Sequence, residues 1–182
     1  MLKWLVKKQL DSFGRKWDYD TSYMREIVDE AGVGAVTPMF GLQKLGRYRK
    51  APLEAYLGAG LTAAKAADCG PCLQLGVRMA ESEGAKPEMI RAILEQDYTK
   101  CSKEALLGIE LANATIARDG TGDEARAEIL QRWGRAALVS LAYAIVAAQS
   151  YPTFKYAIGH GHACVRVMIG GETVPLPHPQ YA

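Results

Sequence analysis

The chain has 182 residues, of which 49% are hydrophobic and 8% aromatic, and its formal net charge is +2. This length is enough for a domain with a substantial core, and the scarcity of aromatic residues favours helix over sheet. So small a net charge argues against a nucleic-acid-binding protein. Four cysteines in a chain of this length do not form the disulfide framework of a small secreted scaffold.

Residues 1–50 form a predicted N-terminal helical extension and linker. Apolar residues in 1–17 follow helical spacing, and lysines and arginines lie on the other face. A basic amphipathic helix either docks on its own domain or a neighbouring subunit, or lies on a membrane surface. We favour docking because Asp11 and several polar residues weaken the amphipathic pattern. A second helix is predicted over 22–31, and the glycine-rich stretch 32–51 predicts a linker with one short helix at most.

Residues 51–169 form a predicted helical domain, which a proline-rich C-terminal arm, 170–182, follows. Caps and stop signals delimit its helices, predicted over residues 52–65, 69–83, 87–96, 103–118 and 123–150. The second half of the last helix is apolar on almost every side, which predicts burial in the core or at a subunit interface. Pro152 is expected to break it, and a short helical piece is predicted to follow. Only 165–169 has a weak strand pattern.

No segment has the roughly 18 apolar residues of a membrane span, and the first residues lack the apolar stretch of a signal peptide. The sequence therefore predicts a cytoplasmic protein without stable membrane insertion. It has no glycine-rich phosphate loop after a strand, and nothing in it indicates a haem, flavin or nucleotide cofactor.

The segment Cys69-Gly70-Pro71-Cys72 is the strongest chemical signal in the chain. Two cysteines with two residues between them lie on one side of a helical turn, close enough to form a disulfide or to share a metal. Proline is tolerated in the first turn of a helix, and Asp68 is a candidate cap. The dipole at a helix start stabilises a thiolate, the form that attacks peroxides and disulfides. The segment therefore predicts redox chemistry.

The order of helices around this motif resembles the alkylhydroperoxidase AhpD-like / carboxymuconolactone decarboxylase family. A thioredoxin fold would need a strand before the motif, whereas residues 61–67 are helical in pattern. The resemblance covers residues 52–159 and includes the turn and helix start Gly84–Ile90, the helix at 103–112 and the closing Ala157-Ile158-Gly159. It implies an all-α AhpD-like helical bundle that assembles as a homotrimer or hexamer.

The resemblance also implies a thiol-dependent peroxidase or oxidoreductase with an antioxidant role. In that scheme Cys72 attacks a peroxide and becomes a sulfenic acid, and Cys69 resolves it as a disulfide. A dithiol reductant protein then restores both thiols by exchange, with no metal or other cofactor in the cycle.

Two positions depart from the family pattern and remove its usual proton relay. Gly76 stands where the family has a histidine, one turn after the second cysteine, and Leu57 stands where it has a glutamate. A cysteine without a base depends more on the helix start for its thiolate. The candidate substitutes for the relay are Glu54, Lys65, His160 and His162.

The segment His160-Gly161-His162-Ala163-Cys164 has the residue types of a metal site and could complete a zinc site with the dithiol. We favour instead that His160 and His162 line the dithiol pocket or its rim. Cys101 and Cys164 are expected to be small buried hydrophobic residues. Because the relay is missing, the alternative to a peroxidase is a non-catalytic redox-sensing or metal-binding oligomer.

Overall fold

A computed structural model describes residues 1–162 and 166–176. These residues form eight α-helices and one two-stranded sheet, which confirms the predicted all-α class. The chain divides into two compact units, Met1–Lys44 and Leu45–Ala182.

The first unit contains helices α1 (Leu2–Trp17), α2 (Ser22–Glu30) and α3 (Val33–Leu42). Within the stretch 32–51, where the sequence predicts a linker with one short helix at most, the structure has α3, a helix of ten residues that includes Pro38. Val36 and Met39 of this helix are buried. Burial of an apolar face therefore outweighs the glycine and proline content that suggested a linker.

The second unit contains five further helices: α4 (Leu53–Ala66), α5 (Gly70–Ser82), α6 (Pro87–Glu95), α7 (Lys103–Ala117) and α8 (Asp123–Ala157). Helices α4 and α7 pack very closely, because Gly58 faces the backbone of Ala105 and Gly108 faces the backbone of Ala55. A Cβ at either glycine would collide with that backbone. Helices α5, α6 and α8 also pack on α4, which makes α4 the centre of the unit.

Helix α8 differs from its prediction at two points. Gly134 has φ 78° and ψ 179°, so the helix is interrupted there. Pro152 does not end the helix, which continues to Ala157. An internal proline removes one backbone hydrogen bond, and here Pro152 and Lys155 are both buried. Packing of this last turn therefore holds the helix together beyond the proline.

By length and composition, α8 is the one helix in the described part of the chain that could cross a membrane. One third of its most apolar window is buried within the chain. Leu141, Ala144 and Ile145 form this inward face, and α8 packs on α4.

A β-hairpin follows the helices. Strand β1 (Arg166–Ile169) pairs antiparallel with β2 (Glu172–Pro175), with Ile169 opposite Glu172. Gly170 and Gly171 form the two-residue turn, and both have positive φ, as a type I′ turn requires. Residues 170–175, which the sequence predicts to belong to a proline-rich arm, form this turn and the second strand. Pro177 and Pro179 of that arm lie outside the described residues.

Candidate redox-active dithiol site

Cys69 and Cys72 form a disulfide at the start of α5, with 5.3 Å between their Cα atoms. Cys69 is the N-cap residue and Cys72 lies in the first turn. Cys69 is completely buried, whereas Cys72 is partly exposed. A molecule from solvent therefore reaches residue 72 before residue 69.

Asp68 shapes the turn that leads into the motif. The prediction that it caps α5 is wrong, because Cys69 occupies the N-cap position. Asp68 has φ 47°, a left-handed conformation that aspartate tolerates better than most residues, and it is buried. This conformation turns the chain sharply between α4 and α5. The carbonyl oxygen of Asp68 accepts a hydrogen bond of 2.8 Å from the Tyr156 hydroxyl on the last turns of α8.

The segment that follows α8 returns to the motif. The backbone N–H of Gly70 donates to the carbonyl oxygen of His162 at 2.9 Å. The backbone N–H of His160 donates to the carbonyl oxygen of Lys155 at 2.8 Å, which closes the helix end at Gly159. Because the N–H groups at a helix start lack partners within the helix, the bond from Gly70 to His162 satisfies one of them.

Gly161 allows this return path. The Tyr156 ring lies against the position that a Cβ of residue 161 would occupy, so a larger residue would collide with the ring. Tyr156 thus contacts the chain on both sides of the dithiol, through its hydroxyl at Asp68 and through its ring at Gly161. We call Tyr156, Asp68, Gly161 and His162 the tyrosine clasp.

Among the residues proposed to replace the missing relay, His160 and His162 belong to a segment whose backbone lies beside the dithiol motif. The backbone of His162 contacts Gly70, between the two cysteines, and His162 is exposed while His160 is half-buried. This places the backbone of the His160–His162 segment beside the motif.

The side chains of Glu54 and Lys65 form hydrogen bonds to the start of α7 and the end of α6. Glu54 accepts a hydrogen bond from the hydroxyl of Ser102, the N-cap of α7. At 1.5 Å per residue, Glu54 lies about 18 Å along α4 from the end that leads to Cys69. Lys65 donates from Nζ to the carbonyl oxygen of Leu94 at 2.7 Å, on the last turn of α6. The structure therefore does not bring Glu54 to the dithiol.

The positions of the family relay are apolar and packed. Leu57 is buried, and the nearest atom to a Cβ built on Gly76 is Cδ2 of Leu61, at 3.6 Å. Neither position carries an ionisable group, so neither can supply the proton relay of the family pattern.

The polar residues that join the hairpin to α5 were not predicted from the sequence. The side-chain amide of Gln74 donates to the carbonyl oxygen of Met168 at 3.0 Å and accepts from its N–H at 2.7 Å. Glu81 accepts from the N–H of Gly170 at 2.7 Å. Gln74 and Glu81 are seven residues apart, a spacing that puts them on one helix face. That spacing, with the Gly170-Gly171 pair between two apolar runs, was the available signal.

The remaining cysteines are separate from this site or outside the described part of the chain. Cys101 is partly buried, and burial, with the charge of Asp97, raises the pKa of its thiol. Cys164, named above as a possible metal ligand, lies outside the described residues. Within residues 1–162 and 166–176, no three His, Cys, Asp or Glu side chains group as a metal site would require.

Comparisons of the sequence with protein-family models and with curated proteins, and of the structure with solved structures, give no match. The resemblance to the AhpD-like family therefore stays a prediction, which depends on the motif and on the order of the helices.

Proposed function

We propose that this protein is a thiol-dependent oxidoreductase of AhpD-like type that reduces peroxides through a Cys69–Cys72 dithiol–disulfide cycle. The observation that carries the proposal is the pairing of the two cysteines at the start of α5, with Cys69 buried and Cys72 partly exposed. A redox cycle of this kind needs one cysteine that meets the substrate and a second that resolves the product within the protein.

The oxidative half of the cycle begins at Cys72. Its thiolate attacks one peroxide oxygen, the O–O bond breaks, and the other oxygen leaves as an alcohol or water after taking a proton. Cys72 is then a sulfenic acid, and its sulfur has lost two electrons. The Cys69 sulfur attacks it, the S–O bond breaks, and water leaves with the proton of the Cys69 thiol. The product is the Cys69–Cys72 disulfide.

The reductive half needs a second dithiol, which we assign to a reductant protein. Its thiolate attacks Cys72, because Cys69 is completely buried, and forms a mixed disulfide while Cys69 leaves as a thiolate that takes a proton. The second thiol of the partner then attacks its own half of the mixed disulfide. Cys72 is released as a thiol, and the partner carries the disulfide.

The apolar character of residues 57 and 76 favours a slower reaction than a relay-equipped enzyme would show. A positioned acid or base increases the rate of a reaction with such a proton transfer by a factor of roughly 10²–10⁴. A helix dipole has a smaller effect, since it stabilises a charged group by about 0.3–1 kcal/mol at exposed sites. A dithiol that reacts this slowly would suit a redox sensor better than a peroxidase, and the test below distinguishes the two.

The test is stopped-flow oxidation of the reduced, metal-free protein by hydrogen peroxide and by an organic hydroperoxide. The variants are Cys69→Ser, Cys72→Ser and, as the matched control, Cys101→Ser. We expect two thiols to be lost per chain, faster than in free cysteine. Cys72→Ser abolishes the fast phase, Cys69→Ser stops at a sulfenic acid, and Cys101→Ser changes neither.

A rate no greater than that of free cysteine would overturn the peroxidase assignment. Disulfide formation at that slow rate would then favour the redox sensor, and fast exchange with a small disulfide would favour a disulfide oxidoreductase. Stoichiometric zinc in the protein as purified, lost on Cys69→Ser, would favour the metal-binding alternative.

A further inference from the structure

The start of α1 exposes an apolar surface that the core of its own unit does not use. Leu2, Trp4 and Leu5 are 63%, 60% and 50% exposed. The opposite face of the same helix buries Val6 and Leu10. The helix is therefore already docked through one apolar face and presents a second.

Three cations lie on the same outer side of α1. Lys8, Arg15 and Lys16 are exposed. Lys8 and Arg15 follow Trp4 by four and eleven residues, and Lys16 follows Leu5 by eleven, so all three lie on the side of the exposed apolar residues. Lys8 Nζ lies 5.2 Å from the centre of the Trp4 ring, so the cationic and apolar parts of the surface are continuous. We call Leu2, Trp4, Leu5 and the three cations the outer face of α1.

The other charges of α1 are used within the first unit. Lys7 pairs with Asp29 of α2 at 2.5 Å, and Lys3 donates to the carbonyl oxygen of Asp29 at 3.2 Å. The hydrogen bond from Lys7 lowers the pKa of Asp29, which favours the carboxylate form of that side chain. Asp11, the one acidic residue between Met1 and Trp17, pairs with Arg25 of α2. The outer face consequently has a net positive charge.

We propose that the outer face of α1 binds the surface of an anionic lipid bilayer. Trp4, with Leu2 and Leu5, enters the interfacial region, where tryptophan is enriched in membrane-bound proteins. Lys8, Arg15 and Lys16 contact the lipid phosphates, since basic residues beside an inserted apolar cluster are attracted to anionic leaflets. Three apolar side chains give reversible association at the surface, which is compatible with the predicted absence of stable insertion. This proposal is independent of the redox chemistry of Cys69 and Cys72.

The charge pattern distinguishes a lipid surface from a protein partner. Cores of protein interfaces are depleted in lysine, whereas two lysines and an arginine flank the apolar residues here. Strand β1 offers a comparison, because Met168 is 47% exposed, about as much as Leu5, and lies in an uncharged stretch, 167–171.

The experiment is sedimentation of the full chain with vesicles of phosphatidylcholine alone or of phosphatidylcholine mixed with phosphatidylglycerol. We expect binding to the mixed vesicles that weakens as salt is added. Lys8→Glu and Lys16→Glu should each weaken it at least fivefold, since each removed cation accounts for roughly that factor. Trp4→Ala should weaken it further, and the matched control Met168→Ser should not change it.

Several outcomes would overturn the proposal. They are equal sedimentation with both kinds of vesicle, binding that the two charge reversals leave unchanged, and loss of binding in Met168→Ser rather than in Trp4→Ala. Self-association that Trp4→Ala abolishes, without vesicle binding, would assign the outer face to a second copy of this chain. The charge reversals lie on an exposed face, so circular dichroism should show an unchanged fold.

Discussion

At the scale of single residues, the two cysteines of the motif differ most in their access to solvent. Cys69 is completely buried and Cys72 is partly exposed. After reduction, we expect a limiting amount of iodoacetamide to label Cys72 before Cys69, because the reagent must reach a thiolate. Peptide mass spectrometry measures the order. Preferential labelling of Cys69 would reverse the roles that we give the two cysteines.

Cys101 gives a prediction about pH. Burial, and then the charge of Asp97, raises the pKa of its thiol above the ordinary value of 9.0. The folded state therefore holds this proton more tightly than the unfolded state, and the stability it contributes is lost as pH rises through the folded pKa. In a Cys69→Ser/Cys72→Ser background, alkylation of Cys101 should have its midpoint at higher pH in the native protein than in urea. An equal midpoint in the two conditions would contradict this.

Gly76 offers a direct test of whether the lack of a base near Cys72 limits the rate of reaction with peroxide. A Cβ at this position would be in ordinary contact with Leu61, so Gly76→Ala should leave the peroxide rate unchanged. Gly76→His supplies a base one turn after Cys72. We expect it to raise the rate of thiol oxidation roughly tenfold, less than the factor of about a hundred from a fully positioned base. Stopped-flow rates for both variants decide the matter, and a histidine variant no faster than the alanine variant would refute the expectation.

At the scale of elements, the tyrosine clasp joins the end of α8 to the turn before α5. Tyr156→Phe removes the hydrogen bond to the carbonyl oxygen of Asp68, a buried residue. We expect the free energy of unfolding to fall by about 1 kcal/mol, the usual value for such a bond. Gly161→Ala should cost at least as much, because its Cβ displaces the ring.

Urea denaturation measures both effects, with Tyr143→Phe as the control. Tyr143 lies on the same helix and is 36% exposed. If Tyr156→Phe were as stable as Tyr143→Phe, the clasp would make no net contribution to stability.

The element scale also shows which sequence signals are reliable. Caps and stops predicted α4 to within one residue at each end. Ser102 caps α7 and accepts from the N–H of Ala105 at 3.2 Å. Such signals act within one turn of the helix. The passage of α8 through Pro152 was not predicted, because tertiary burial decides it, and burial depends on residues far away in the sequence.

At the scale of the whole molecule, the dithiol could be predicted and its surroundings could not. The spacing of Cys69 and Cys72 is local, so the sequence alone places their sulfurs together. The partners of the motif, Tyr156 and His162, lie about ninety residues further along the chain, and their approach depends on how α8 packs on α4. Glu54 differs from these partners, because the rise per residue of the predicted helix over 52–65 already places it at the far end of α4 from Cys69.

The outward side of α8 carries the last prediction, which concerns assembly. The sequence predicted burial on every side of this helix, yet Tyr143 and Val146 are 36% and 49% exposed within the chain. We expect a second copy to cover them in a homo-oligomer, since exposed apolar faces of this kind mark interaction sites. Light scattering should then give a multiple of 19.8 kDa.

Val146→Glu should shift the mass toward a single chain, because an unpaired carboxylate in an apolar interface costs several kcal/mol, roughly the energy of a weak interface. Ala127→Glu is the matched control, since Ala127 is exposed on the same helix before the interruption at Gly134. A native mass of 19.8 kDa at all concentrations would show that this face is not a subunit contact. The apolar surface of α8 would then need another explanation, which its partial burial against α4 does not supply.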